Sequence, residues 1–238
     1  MNAMSIDLAV AKSNKYASRE SGDTAELVER PGGGASIVLA DGQGSGRAAK
    51  SLSMMVTSKA VALLKEGVRD GAVARAVHDY LFAYRHGQVS ATLDILSVDL
   101  HSRSVLVTRN AETPMLIRGG HEMEVVRSGS GPIGLYRLTK LAITERPLEV
   151  GVQVVLFSDG VTAGGRPPMP RFDLNQFATR PDLDKLSAAD LADAVLHEVV
   201  RLDQGRLQDD TTVVALSIRP HQEDLLVRRL NARIPLPI

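Results

Sequence analysis

Three apolar runs in this chain end or begin on aspartate. Residues 35–40 run into Asp41-Gly42, residues 152–157 run through Ser158 into Asp159-Gly160, and Asp209-Asp210 lead directly into Thr211-Thr212-Val213-Val214-Ala215-Leu216. A fourth acidic turn, Ser21-Gly22-Asp23, stands before a strand expected near residues 25–29. A short continuous apolar run such as 152–157 suits a strand buried on both faces, which leaves carboxylates room only at the strand ends. Aspartate before glycine permits a tight turn and close backbone approach, so side chains from distant parts of the sequence can meet on one hard cation. Any one Asp-Gly is most simply a surface turn. Aspartates at several strand ends at once make a metal site the stronger reading, and oxygen donors with few histidines nearby select magnesium or manganese over zinc.

Composition closes other routes. At 238 residues and 44% hydrophobic content the chain can bury a sizeable core. The absence of cysteine excludes disulfides, thiolate metal sites and cysteine-nucleophile enzymes. Twenty-eight basic residues balance 28 acidic ones, so no global field gathers nucleic acid or anionic lipid, and 3% aromatic residues without tryptophan argue against base-stacking platforms. Neither a nucleic-acid nor a membrane partner is expected. No run approaches the ~20 apolar residues of a membrane span, and the N-terminus shows no basic, then apolar, then small-residue signal pattern, with Met4 able to serve as a start as well as Met1; the expected location is the cytoplasm. His78, His86, His101, His121, His197 and His221 are scattered without ligand spacing.

Alternation of Ile6, Leu8 and Val10 predicts a first strand, and residues 25–29 and 35–40 around Pro31-Gly32-Gly33-Gly34 predict a hairpin. Three-to-four spacing predicts helices over 45–65 and 71–84, the second capped by Gly87. Strands at 91–100, 105–109, 114–117, 123–126 and 140–144 read as an antiparallel meander. A buried strand at 152–157 leads into an irregular loop marked by Pro167, Pro168 and Pro170. Ser187 with Asp190 opens a further helix, and 211–218 closes as a strand. This order does not alternate as βαβ, so segregated α+β layering is expected rather than a parallel doubly wound sheet. The tail at 220–238, with Leu225, Leu226, Val227 and Leu230, is expected to dock on the domain.

The segments ADGQGSG (40–46), LFSDGV (156–161) and QDDTTVV (208–214), preceded by SGD (21–23), resemble in order and spacing the type 2C metal-dependent serine/threonine protein phosphatases, specifically their bacterial SpoIIE-like branch. ATLDIL (91–96), NAETP (110–114) and GPIGL (131–135) are similar to internal segments of the same branch, so the resemblance spans about 17–218 of a chain read as one catalytic domain over 1–238. It implies an antiparallel β-sandwich flanked by helices, a four-layer αββα arrangement, with a binuclear Mn²⁺ or Mg²⁺ centre at one end. By motif, Asp41 would bridge both metals, Asp159 and Asp209 would complete one, and Asp23 with the Gly42 carbonyl would hold the other. Asp210 stands where many relatives carry asparagine, either supporting Asp209 or replacing it as ligand.

Asp41 and Asp159 are thus the catalytic candidates, with a water bridging the two ions as nucleophile and no phosphoenzyme. Gln43 departs from the many type 2C enzymes that have histidine there, and glutamine cannot act as an acid toward the leaving oxygen. Arg19, four residues before Asp23, is a candidate for the substrate phosphate, although a solvated arginine is the simpler reading. Lys12 and Lys15 have weaker claims, and Lys50, Lys59 and Lys65 read as the wet face of a helix. SpoIIE-like enzymes commonly act on phosphorylated anti-anti-sigma or related STAS proteins, so such a phosphoprotein is the implied substrate, and a regulatory protein is expected on the helices at 45–65 and 71–84. The rival from another class is a weak or inactive phosphatase fold that binds a signalling partner. Haloacid-dehalogenase chemistry is excluded because its nucleophile position is Phe157, and the glycines at 42, 44 and 46 match neither a Walker nor a dinucleotide loop.

Overall fold

The computed structural model describes residues 4–120, 122–165, 167–221 and 227–235. Among these residues, ten strands form two antiparallel five-stranded sheets. The first has the order β1 (Met4–Ser13), β10 (Thr211–Pro220), β9 (Gln153–Phe157), β6 (Met115–Arg118) and β7 (Met123–Val126); the second runs β2 (Asp23–Glu29), β3 (Gly34–Asp41), β4 (Leu93–Asp99), β5 (Ser104–Asn110) and β8 (Ala142–Pro147). Helices α1 (Gly46–Lys65) and α2 (Asp70–Arg85) cover the second sheet, and α5 (Ala188–Leu202) covers the first; α3 (Asp159–Ala163) and α4 (Leu174–Ala178) are short. The α+β sandwich read from the sequence is therefore the observed architecture.

Three apolar layers follow from the period-two geometry of the strands. On β3, Val38 and Ala40 meet α1 while Ile37 and Leu39 meet the opposite sheet; on β10, Val213 and Ala215 meet α5 while Val214, Leu216 and Ile218 point between the sheets. A strand with both faces covered has no wet side for polar residues, which is why these segments read as continuous apolar runs. Helix α1 buries Ala49, Leu52, Val56, Ala60 and Leu64 at three-to-four spacing. Helix α5 opens on Ser187, whose hydroxyl oxygen accepts from the Asp190 N–H at 3.0 Å.

The expected single meander is divided between the sheets. Strands β4, β5 and β8 are neighbours in one sheet, whereas β6 and β7 lie in the other with β6 against β9. Pro114, just before β6, cannot donate to a sheet ladder, and β6, all four of whose residues are buried, pairs with β9 and β7 in the other sheet instead of continuing from β5. The last meander strand starts at Ala142 and reaches Pro147, later than the expected 140–144, and alternates between half-buried and exposed as an edge strand does. The irregular stretch after Phe157 begins with α3 and contains α4. Leu225 and Leu226 lie outside the described residues. Residues 227–235 are exposed throughout, Leu230 at 76% and Ile234 at 77%, with an ion pair from Arg228 to Glu29, so this part of the tail does not dock as expected.

One charged pair sits inside the sandwich. Asp94 and Arg109 face each other in register on β4 and β5, on the strand faces that also carry Leu96, Val98, Val105 and Val107 between the sheets. Arg109 Nε donates to Asp94 Oδ1 at 3.1 Å and Nη2 donates to the Thr113 carbonyl at 2.6 Å. Burial pushes the Asp94 carboxyl up while Arg109 opposes the shift. Removing one member strands the other charge in the core, at a cost of about 3–5 kcal/mol, whereas replacing both with apolar groups is close to neutral. Asp94→Ala is therefore expected to lower unfolding free energy by about that amount in urea titrations, and Asp94→Leu with Arg109→Met to recover most of it.

Candidate metal centre

Antiparallel register brings the acidic strand ends together. Asp23 opens β2 and Asp41 closes β3, and the two are direct cross-strand partners. Asp159 begins α3, one residue beyond Ser158, which exchanges backbone contact with β10 through Ser158 N–H to Thr212 O at 3.0 Å. Asp209 and Asp210 directly precede β10. All five aspartates, with Gly42 and Gln43, line one cleft of ≈ 210 Å³. Like charges placed opposite on paired strands repel, so the cleft concentrates negative charge that the surrounding structure must hold in place.

The titration behaviour reflects that strain. Burial, followed by the charges of Asp23, Asp159, Asp209 and Asp210, pushes the Asp41 carboxyl up to about 8. Burial lifts Asp23 to about 6, against the opposing pull of hydrogen bonds from Thr212 and Ser158; the Thr212 hydroxyl donates to Asp23 Oδ2 at 2.6 Å. Asp159 is raised by burial and then by the Asp209 charge. Among the described residues no three of these side chains are drawn in tightly enough to form a finished cage for one ion. The donor set itself, several carboxylates and no histidine or sulfur in the cleft, fits hard divalent cations.

The adjacent pair at 209–210 is chemically unequal. Both Asp210 carboxylate oxygens accept backbone N–H groups, Oδ1 from Lys15 at 2.9 Å and Oδ2 from Gly22 at 2.7 Å, so Asp210 pins the 15–22 loop to the start of β10. Asp209 Oδ1 accepts only its neighbour's N–H, at 2.9 Å, and the side chain faces the cleft. Two glycines are required by proximity: a Cβ at Gly42 would overlap the Ala49 carbonyl of α1, and one at Gly160 would overlap the Asp210 carbonyl. Gln43 is engaged with Ser90, accepting its N–H at Oε1 (2.9 Å) and giving its own N–H to the Ser90 carbonyl (3.0 Å).

Arg19 is not in the acidic cleft; it lines a neighbouring one together with Lys12, Arg47 and Lys50. Lys12 and Lys50 both donate to the Asp23 carbonyl, at 2.6 and 2.9 Å, and Lys50 also reaches Thr24 Oγ1. The wet-face reading of Lys50 is thus corrected: it shares a stripe of α1 with Ser53 and Thr57, both buried, that faces β2. That polar stripe was the signal for Lys50. For Lys12 the signal was its register opposite Thr212, which only the sheet pairing reveals. Thr212 and Ser158, whose motif segments give no sign of it, hold Asp23 and the start of α3.

The model of the family described as Stage II sporulation protein E (SpoIIE) matches residues 31–219. Stage II sporulation protein E of Priestia megaterium is 22% identical over 214 residues, which are 90% of this chain and 36% of that protein, so the chain spans about a third of its length. Among solved structures, the PP2C phosphatase domain with a fragment of the regulatory domain of SpoIIE from Bacillus subtilis superposes with a TM-score of 0.78 at 21% identity, covering 93% of this chain and 66% of that one. RsbX in complex with magnesium superposes at 0.64 with 16% identity, over 92% of this chain and 100% of the other. Both share the fold.

A carboxyl raised in the folded state makes stability fall as pH climbs. Between 3.8 and about 8 the native protein keeps a proton on Asp41 that the unfolded chain has released, so stability present at the acidic end is lost through this window. With chelator present, Asp41→Asn is expected to melt above the parent at pH 8, by about 2–4 °C for each kcal/mol of relieved repulsion. The gap should close toward pH 4, and manganese should raise the melting point of the parent alone; scanning fluorimetry across pH reads all three.

Proposed function

The chain belongs to the SpoIIE family, and on that premise we propose that it is a metal-dependent protein serine/threonine phosphatase acting on a phosphorylated STAS-type regulatory protein. The observation that carries this reading is the convergence of Asp23, Asp41, Asp159 and Asp209 at one end of a PP2C-type sandwich, with Asp41 pushed up by burial and then by its neighbours' charges. Asp41 would be shared between two cations, Asp159 and Asp209 would hold one, and Asp23 with the Gly42 carbonyl the other. Manganese or magnesium bound there supplies an activated water near neutral pH and neutralises charge on the phosphoryl group. The magnesium complex of RsbX, which has the same fold, supports hard divalent cations as the fit.

The remaining residues position those donors. Thr212 and Ser158 orient Asp23, and Asp210 fixes the 15–22 loop rather than serving as a ligand, because both its oxygens are committed to backbone N–H groups. Ser90 and Thr92, the hydroxyls lining the cleft, are tied to Gln43 and to the Asp41 N–H, and among the described residues neither hydroxyl hydrogen-bonds to a carboxylate or a histidine that could take its proton. Covalent catalysis through them is therefore disfavoured. Gln43 leaves the departing serine oxygen to be protonated from water, consistent with a slow regulatory enzyme. Arg19, which lines the adjoining basic cleft, is the arginine proposed to meet the substrate phosphate. A regulatory protein pressing on α1 or α2 would act at short range, since Ala49 and Leu52 of α1 abut Gly42.

The test is phosphate release from a phosphoserine peptide with manganese, magnesium or chelator. Release should need a divalent ion and fall at least ~10²-fold in Asp41→Ala and Asp159→Ala. Calorimetry should find ion uptake weakened by Asp209→Asn, while Asp210→Asn chiefly lowers the melting point. Ion uptake without any turnover would support the binding-module reading instead.

A further inference from the structure

The cleft beside the aspartates is of opposite sign. It encloses ≈ 430 Å³ and carries Lys12, Arg19, Arg47 and Lys50 against a single carboxylate, Glu20. Among the described residues none of these four cations forms an ion pair. Lys12 and Lys50 instead crowd onto one carbonyl oxygen, that of Asp23. Sequence choice on α1 runs against helix stability in the same place. Its first turn holds Arg47 and no acidic residue, although the helix dipole favours anions there. A local preference broken without a compensating contact marks a position kept for function.

Asp23 links the two clefts: it lines the acidic one, and its carbonyl takes Lys12 and Lys50 of the basic one. A protein segment with its phosphorylated residue in the acidic cleft can therefore lie over the basic one, and its remaining anions are aspartate and glutamate. We propose that Lys12, Arg47 and Lys50 form a docking subsite for a carboxylate side chain of the phosphorylated substrate segment, so that the enzyme favours phosphosites with acidic neighbours. This rests on the phosphatase reading, with Arg19 left to the phosphate. Ammonium and guanidinium groups at the mouth of an open cleft suit a charge-assisted contact that forms without full desolvation.

Two phosphoserine peptides, one flanked by glutamates and one by glutamines, test the subsite through the ratio of their kcat/KM values with manganese. A general loss of activity in a variant cancels from that ratio. The parent should prefer the glutamate peptide about tenfold, the size of one charge-assisted contact, less so as salt rises. Arg47→Glu and Lys50→Gln should each bring the ratio below about 3. Arg47→Glu places an acid where the helix dipole favours one, so it is not expected to unfold the chain. Fluorescence anisotropy with the unphosphorylated pair decides the matter even where no turnover occurs, because the same preference and its loss in both variants are expected in binding. Equal values for the two peptides, or a preference that survives both substitutions, would overturn the subsite. Absence of turnover with intact glutamate preference in binding would instead remove the phosphatase reading.

Discussion

Carboxylates repel one another, and one end of this sandwich holds five of them. Much of the local structure is legible as restraint on that repulsion. Asp210 is neutralised in part by two backbone N–H groups, Asp23 by the Thr212 hydroxyl, and the Asp23 peptide by two ammonium groups on its carbonyl. Asp41 receives no such direct relief on its carboxylate, and burial with the neighbouring charges drives it up to about 8, beyond the about 6 of Asp23. The least compensated carboxylate is also the one with most to gain from a cation, which is why the site reads as a binding centre rather than as a set of surface turns.

The restraint works because the strands delivering the aspartates are immobile. Strands β3, β9 and β10 are buried on both faces, so their ends cannot shift without disturbing two apolar layers at once. The interior pair of Asp94 and Arg109 extends this fixity toward the site, since Arg109 also grips Thr113, whose hydroxyl reaches the Phe157 carbonyl two residues before Asp159. Function thus occupies the strand ends, where the backbone turns, and stability occupies the strand interiors, where the sequence is almost wholly apolar.

What could be read from the sequence follows the same division. The layer class, the hairpin at 23–41, both long helices and the four acidic turns were legible because each has a local signature: period two, period 3.6, or aspartate beside glycine. Partner choice between strands has none. Nothing local says that β6 leaves β5 for β9, because its three apolar residues, Met115, Leu116 and Ile117, suit either sheet equally well. The inequality of Asp209 and Asp210 was hidden for a related reason, since it depends on N–H groups of Lys15 and Gly22, nearly two hundred residues away. Lys50 read as a solvent-facing residue because its two partners, the Asp23 carbonyl and Thr24, belong to a strand that the helix pattern does not name.

Charge balance over the whole chain conceals strong segregation at one end. Twenty-eight acidic and 28 basic residues cancel, so little field survives beyond the ~8 Å over which salt screens surface charge. A partner is then not drawn in from a distance, and discrimination falls to contacts made after encounter. Two clefts of opposite sign, joined by the hydrogen bonds of Lys12 and Lys50 to the Asp23 carbonyl, are suited to that regime, because a segment that fits them in one direction meets repulsion in the other. Asp23 sets the order of the signs through its own two ends, a carboxylate on one side and a carbonyl taken by Lys12 and Lys50 on the other. A change that moved β2 by one residue would exchange the faces of every side chain along it and dissolve both clefts together.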